Sequence, residues 1–231
     1  MIGIIAAMDA EINELKENIQ KLNIETISDI SYYKGFIYGE EVVVAKCGIG
    51  KVFAAMCAQT MILKYHPDKI FHIGIAGALD KNFGVNDVAI ASSVVQHDID
   101  QTPFGYKKGQ IQGLELIEIP CDKEIVSDIS KCAESIGKRY RIGVIASGDQ
   151  FIESADKKND IAKEFNAIAV EMEGASTGQV CYVNKTPFVV IRAISDGNED
   201  NATKIYKESK QTASDTSTEI ILYYLKGTSK K

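Results

Sequence analysis

Three stretches of the sequence carry an apolar run into carboxylates. Ala167-Ile-Ala-Val-Glu171-Met-Glu173 ends in two, Val189-Val-Ile-Arg192-Ala-Ile-Ser195-Asp196 ends in one after an arginine, and Met1-Ile-Gly-Ile-Ile-Ala-Ala-Met8-Asp-Ala-Glu11 reaches its acids just past the run. Short apolar runs bounded by polar residues have the length of buried strands, and open α/β sheets bind ligands outside the carboxyl ends of their strands. Glu11, Glu171, Glu173 and Asp196 can therefore share one acidic site. Carboxylates without paired metal ligands suit cleavage of a glycosidic bond through a cation-like sugar. One acid protonates the leaving group, a second activates water, and nearby negative charge steadies the cation.

Each acid also has an ordinary role open to it. Glu171 and Glu173 could be a solvated pair, Glu11 a partner of a helix dipole, and Arg192 with Asp196 a structural ion pair and turn cap. Period-two alternation puts Phe188, Val190, Arg192, Ile194 and Asp196 on one strand face. An arginine inside an apolar strand needs an acidic partner, and we expect Arg192 to pair mainly with Glu11 and water. An aspartate acting as an acid near neutral pH would have to hold or share a proton, which burial and neighbouring carboxylates would favour and Arg192 close by would oppose.

The elements that must position these groups alternate strand and helix. Met1 to Ala7 reads as a strand, and Ile12, Leu15, Ile19 and Leu22 recur at helical spacing from about Asp9 to Leu22. Ile30 to Tyr38 and Val42 to Cys47 form a hairpin, and Lys51 to Lys64 a helix stopped by Pro67. Gly48-Ile49-Gly50 lacks the third glycine of the dinucleotide fingerprint and reads as a tight turn at a helix start. Lys69 to Ile73 is a strand ending in Gly74-Ile75-Ala-Gly77, where missing side chains would let a ligand approach the backbone. Val88 to Val95 continues the sheet. His97 to Gly113 is a loop carrying Phe104 and Tyr106, and its His97-Asp98-Ile-Asp100 is better read as hydrogen-bonded than as a metal site. Leu114 to Ile119, a helix from Asp122 to Ile136 and a strand from Arg141 to Ala146 lead to the loop Ser147-Gly-Asp-Gln-Phe151-Ile152. A helix from Asp156 to Phe165, the Glu171 strand with a helix from Gly174, a strand from Pro187 to Ile194 turning at Ser195-Asp196-Gly197, and a helix from about Tyr206 to Lys226 complete the chain. Gly227 and the terminal lysines Lys230 and Lys231 should fray.

A chain of 231 residues with 45% hydrophobic content can bury the core of one α/β domain spanning 1–231. A formal net charge of −6 disfavours nucleic acid and anionic membrane as partners, and no stretch has the length and apolarity of a membrane span. Five scattered cysteines without C-x-x-C spacing read as reduced thiols of a cytoplasmic protein, with no metal and no cofactor implied.

Taken together, Ile4-Ile-Ala-Ala-Met8-x-x-Glu11, Gly48-Ile-Gly-Lys51, Gly74-Ile-Ala-Gly77, Ser147-Gly-Asp149-x-Phe151-Ile152, Val170-Glu-Met-Glu173 and Arg192-Ala-Ile-Ser-Asp196 resemble the bacterial 5′-methylthioadenosine/S-adenosylhomocysteine nucleosidases of the purine nucleoside phosphorylase superfamily. The resemblance covers nearly the whole chain in order. It implies an α/β fold with a central mixed twisted sheet flanked by helices, and adenine nucleosides as ligands. It also implies Glu11 as base for water, Asp196 as acid toward adenine N7, and Glu173 with Met172 on the ribose hydroxyls. Phe151 would stack on adenine, the Ile152 backbone would read its edge, and Gly77 would line the base pocket. Met8, Ile49, Glu171, Arg192 and Ser195 complete the implied lining, and Tyr206 stands where the family carries a lid phenylalanine. Ile75 replaces a frequent Ser or Thr, which leaves water to Arg192 and Glu11. The family is dimeric, so Phe104 is expected against the neighbour's 5′ substituent, in a wall made more polar by Gln101 and Gln112. Hydrolysis of aminodeoxyfutalosine and a non-catalytic nucleoside-binding protein are the alternatives on this fold. A phosphorylase is disfavoured because, of the three arginines, only Arg192 falls in a site motif.

Overall fold

The computed structural model describes residues 1–197 and 202–228. The first strand, β1 (Ile2–Ala6), is buried throughout and lies between two parallel neighbours, β4 (Glu40–Lys46) and β5 (Lys69–Ala78). Outside β4 the sheet continues antiparallel through β3 (Ile30–Ile37) and β2 (Gln20–Ile27). On its other side β5 pairs parallel with β10 (Phe188–Asp196) and antiparallel with β9 (Ala167–Glu171). Parallel pairs join β9 to β8 (Tyr140–Ser147) and β8 to β6 (Val88–Gln96), and β6 returns antiparallel to β10. The five strands β5, β9, β8, β6 and β10 thus close on themselves, with β7 (Glu118–Pro120) added to β6. The expected mixed sheet is present; closure brings the ends of β9 and β10 beside that of β5, and β1 reaches the same place through its parallel pairing with β5.

Helices α1 (Asp9–Asn18), α2 (Lys51–Tyr65), α3 (Lys123–Ser135), α4 (Ala155–Phe165), α5 (Gly174–Asn184) and α6 (Ala202–Thr228) cover the strands. All nine residues of β10 are buried, the pattern of a strand covered on both faces. Each buried Val or Ile there is worth ~1.5–3 kcal/mol of transfer free energy. Start signals are visible in the sequence: Asp122 caps α3 through the amides of Glu124 and Ile125, both at 3.0 Å, and Ser154 caps α4 through Lys157. The five cysteines are free thiols, four of them buried, and among the described residues no helix is long and apolar enough to cross a membrane.

The structure corrects several boundaries. Helix α1 stops at Asn18, and Leu22 sits exposed on edge strand β2, so the helical spacing of Leu22 with Ile19 is accidental. Between Leu114 and Ile119 only the end is strand, because Glu115 takes a left-handed φ of 56° that interrupts extension. Strand β5 runs through Gly74 and Gly77 to Ala78 instead of turning there, and β10 runs through Asp196. Helix α6 begins at Ala202 and includes Gly227, while Lys230 and Lys231 lie outside the described residues.

Candidate active site

At the carboxyl ends of these strands is a cavity of ≈ 280 Å³ lined by Glu11, Glu171, Glu173 and Asp196 together with Met8, Ile49, Gly77, Phe151, Met172, Ser195 and Tyr206. A small adjoining recess adds Ile152 beside Gly77 and Asp196. A larger open groove, ≈ 680 Å³, has Asp122 as its one carboxylate, already used to cap α3, and so lacks acid–base chemistry.

Glu11 belongs to the first turn of α1, yet it does more than offset a dipole. Its Oε2 accepts from the amides of Ala7 (2.9 Å) and Met8 (2.8 Å), and its Oε1 from that of Ile75 (3.2 Å). These bonds turn the carboxylate into the cavity. Burial pushes its pKa up, with Arg192 and the amides opposing, and a raised pKa makes a better base. Gly74 makes this approach possible: a Cβ there would meet Glu11 Oε1 at 2.7 Å and Arg192 Nη1 at 2.8 Å.

Arg192 does not pair mainly with Glu11. Its Nε donates to Glu171 Oε2 at 3.1 Å and its Nη2 makes a shorter bond to the same oxygen, both partners being buried. Glu171 is the nearer acid because β9 ends at that depth, and its other bonds come from the Ser147 hydroxyl and the amides of Glu173 (3.1 Å) and Gly174 (2.7 Å). The pair is a brace under the cavity floor. Burial works against the arginine's charge, and Glu171, Glu173 and Glu11 outweigh it, so its pKa lies above the usual value.

Glu173, two residues on and immediately before α5, accepts from the Gly50 amide at 2.8 Å. The glycine turn Gly48-Ile49-Gly50 therefore opens α2 and contacts the site through its backbone, where Gly50 has a φ of 102°. Burial, then the charge of Glu171, pushes the Glu173 pKa up to about 8.

Asp196 is not reached by strict alternation. The β5 register slips between Ile194 and Asp196, leaving Ser195 as an extra residue whose hydroxyl donates to Asp196 Oδ1 at 2.8 Å. Oδ2 accepts from Lys158 Nζ at 2.7 Å, in a pair buried on both sides. The carboxylates share the cavity with the aspartate, as expected, and a cation that the sequence reading did not place there is in direct contact with it. Lys158 had no signal in the sequence: beside Lys157 on a charged helix it reads as solvated surface. Gly77 leaves room for the same carboxylate, since a Cβ there would lie 2.9 Å from Oδ2.

Phe151, half exposed, meets Tyr206 edge-on at 5.7 Å and 77°, and the Tyr206 hydroxyl donates to Met8 Sδ at 3.4 Å. Phe104 stands apart from the cavity, 82% exposed. The loop before it is hydrogen-bonded: Asp98 accepts from Lys51 Nζ at 2.6 Å and from the Asp149 amide at 2.9 Å.

The sequence profile of the phosphorylase superfamily matches residues 1–226. A 5′-methylthioadenosine/S-adenosylhomocysteine nucleosidase of Staphylococcus carnosus is 40% identical over 227 residues, 98% of this chain and 99% of the relative. The chain belongs to the phosphorylase superfamily, among its methylthioadenosine/adenosylhomocysteine nucleosidases. Two solved nucleosidase-family folds superpose closely. The Neisseria meningitidis methylthioadenosine/adenosylhomocysteine nucleosidase in complex with methylthio-immucillin-A has a TM-score of 0.94 at 33% identity, covering 98% of each chain. Futalosine hydrolase of Helicobacter pylori has a TM-score of 0.93 at 32% identity, covering 98% of this chain and 97% of its own.

Proposed function

We propose that this chain hydrolyses the N-glycosidic bond of 5′-methylthioadenosine and S-adenosylhomocysteine, releasing adenine and the thioribose product. The observation that carries this reading is the convergence of Glu11, Glu171, Glu173 and Asp196 on one cavity walled by Phe151, Met8, Ile49 and Met172. Glu11 takes the proton of the attacking water. Asp196 protonates adenine N7 as the bond to C1′ breaks, and Glu173 with Met172 holds the ribose. Phe151 stacks on the base, Ile152 reads its edge, Gly77 leaves space for it, and Tyr206 closes the 5′ side. Residues 1–231 act as one domain, in the cytoplasm.

Water is the nucleophile because the two buried cations at the site are spent, Arg192 on Glu171 and Lys158 on Asp196. That leaves no free cation among the described residues lining the cavity to hold a phosphate dianion. Adenine release should therefore be unchanged by added inorganic phosphate, as followed by product chromatography. A thioribose 1-phosphate product would overturn the assignment. The likeness to the Helicobacter pylori futalosine hydrolase supports a second reading, aminodeoxyfutalosine hydrolysis, with the same base and ribose contacts. Comparing kcat/KM for methylthioadenosine, adenosylhomocysteine and aminodeoxyfutalosine separates the two.

The working unit is a homodimer. Lys51 ties the loop of Asp98 and Phe104 to the start of α2, where Val52, Phe53 and Met56 are exposed, and clustered exposed apolar groups mark contact surfaces. With Phe104 against the partner's 5′ substituent, Phe104→Ala should weaken methylthioadenosine binding far more than adenine binding in calorimetry. A fully active monomer on sedimentation, or equal losses for both ligands, would remove the shared site.

A further inference from the structure

Helix α4 sends one side chain inward that the roles above leave without a task. Lys158 is fully buried, although its neighbour Lys157 is exposed. Its Nζ donates to Asp196 Oδ2 at 2.7 Å and to the Gly197 carbonyl at 2.5 Å. A lysine is buried this completely only when its charge is matched, and here it grips both the side chain of Asp196 and the backbone that follows. The other carboxylate oxygen is held by Ser195. Asp196 is thus fixed from two elements, with α4 supplying the charge.

We infer that Lys158 is a positioning residue for Asp196, holding the carboxylate toward the leaving group and stabilising the charge left on it when its proton departs. The inference rests on the reading of Asp196 as the acid. In that step the Asp196 O–H bond breaks and the N7–H bond forms. The C1′–N9 electron pair goes to the purine, and Asp196 remains as a carboxylate beside the Lys158 ammonium until water restores its proton. A charge-assisted hydrogen bond from an ammonium is stronger than one from a neutral donor, so the contact steadies the carboxylate that the transfer leaves behind and fixes its direction.

Other groups face the same space: Glu11 from α1, Glu171 and Glu173 from the end of β9, Tyr206 from α6, and Ser195 on β10, with Arg192 held behind Glu171. Lys158 is the cation in direct contact with Asp196. Removing it leaves the carboxylate oriented by the Ser195 hydroxyl alone, so the loss should fall on kcat and on the step that needs the proton.

The test compares kcat and KM on methylthioadenosine and on a p-nitrophenyl thioriboside for the full-length enzyme, Lys158→Met, Lys158→Gln, Lys158→Arg and Asp196→Asn, with melting curves for each. Lys158→Met and Lys158→Gln should lower kcat on methylthioadenosine about ten-fold, a part of the ~10²–10⁴-fold typical of general acid catalysis. KM should be little changed, and the loss should be much smaller on the p-nitrophenyl thioriboside, whose leaving group departs without a proton. Lys158→Arg, which keeps the charge, should recover most of kcat. Lys158→Gln gives the same reading should the methionine variant fail to fold. A folded Met or Gln variant with wild-type kcat, or with equal losses on the two substrates, overturns the inference, as does an arginine variant behaving like methionine. Near-normal turnover in Asp196→Asn would instead overturn the acid assignment on which the inference stands.

Discussion

Glu11→Gln is expected to lower kcat on methylthioadenosine by ~10²–10⁴-fold while leaving substrate affinity within a few-fold, because general base catalysis acts only in the reacting state. Glutamine keeps the shape of the side chain and cannot take a proton from water. The three amides that hold Glu11, those of Ala7, Met8 and Ile75, all donate. A carboxamide offers one oxygen to them, so its NH₂ must face at least one donor, and a buried donor left unsatisfied costs ~1–3 kcal/mol. Some loss of melting temperature is therefore part of the expectation. Affinity measured by calorimetry with a non-hydrolysed ligand separates that loss from catalysis. An active Glu11→Gln enzyme with normal affinity would remove Glu11 from the mechanism.

Much of the site was legible because its residues end apolar strands. Glu171 and Glu173 follow β9, Asp196 closes β10, and Glu11 comes one helical turn after β1. Local pattern marks strand ends, and the rule about where ligands bind converts strand ends into a site. Pairing was harder to read. Glu11 and Glu171 both lie within reach of a buried arginine, and the choice between them depends on how far β9 extends beside β10, a fact of register that hydropathy does not carry. Closure of β5, β9, β8, β6 and β10 was hidden for the same reason, since β10 reads equally well as the edge or the seam of a sheet. The strand β2 was lost to a helical spacing that continued by chance from Ile19 to Leu22. Lys158 was lost because lysine is nearly always exposed, and only the tertiary placement of α4 over β8 and β9, from which Lys158 reaches the end of β10, inverts that expectation.

Asp196→Asn should bring a loss of comparable size, ~10²-fold or more in kcat, and the manner of loss is more telling than its extent. An adenine leaving without protonation carries a full negative charge, so the acid matters in proportion to how poor the leaving group is. A thioribosyl substrate bearing p-nitrophenolate, which departs as a stable anion, does not need the proton. The asparagine variant should therefore be severely impaired on methylthioadenosine and much less so on the nitrophenyl substrate, with the ratio of the two kcat values as the measurement. The variant also leaves the Lys158 ammonium buried against an amide that accepts less well than a carboxylate. Breaking one side of a buried pair typically costs ~3–5 kcal/mol, which sets the scale of the expected drop in stability. That drop affects both substrates alike and cancels in the ratio. Equal losses on the two would mean that Asp196 serves the fold or the binding of the base, and that the proton reaches the leaving group by another route.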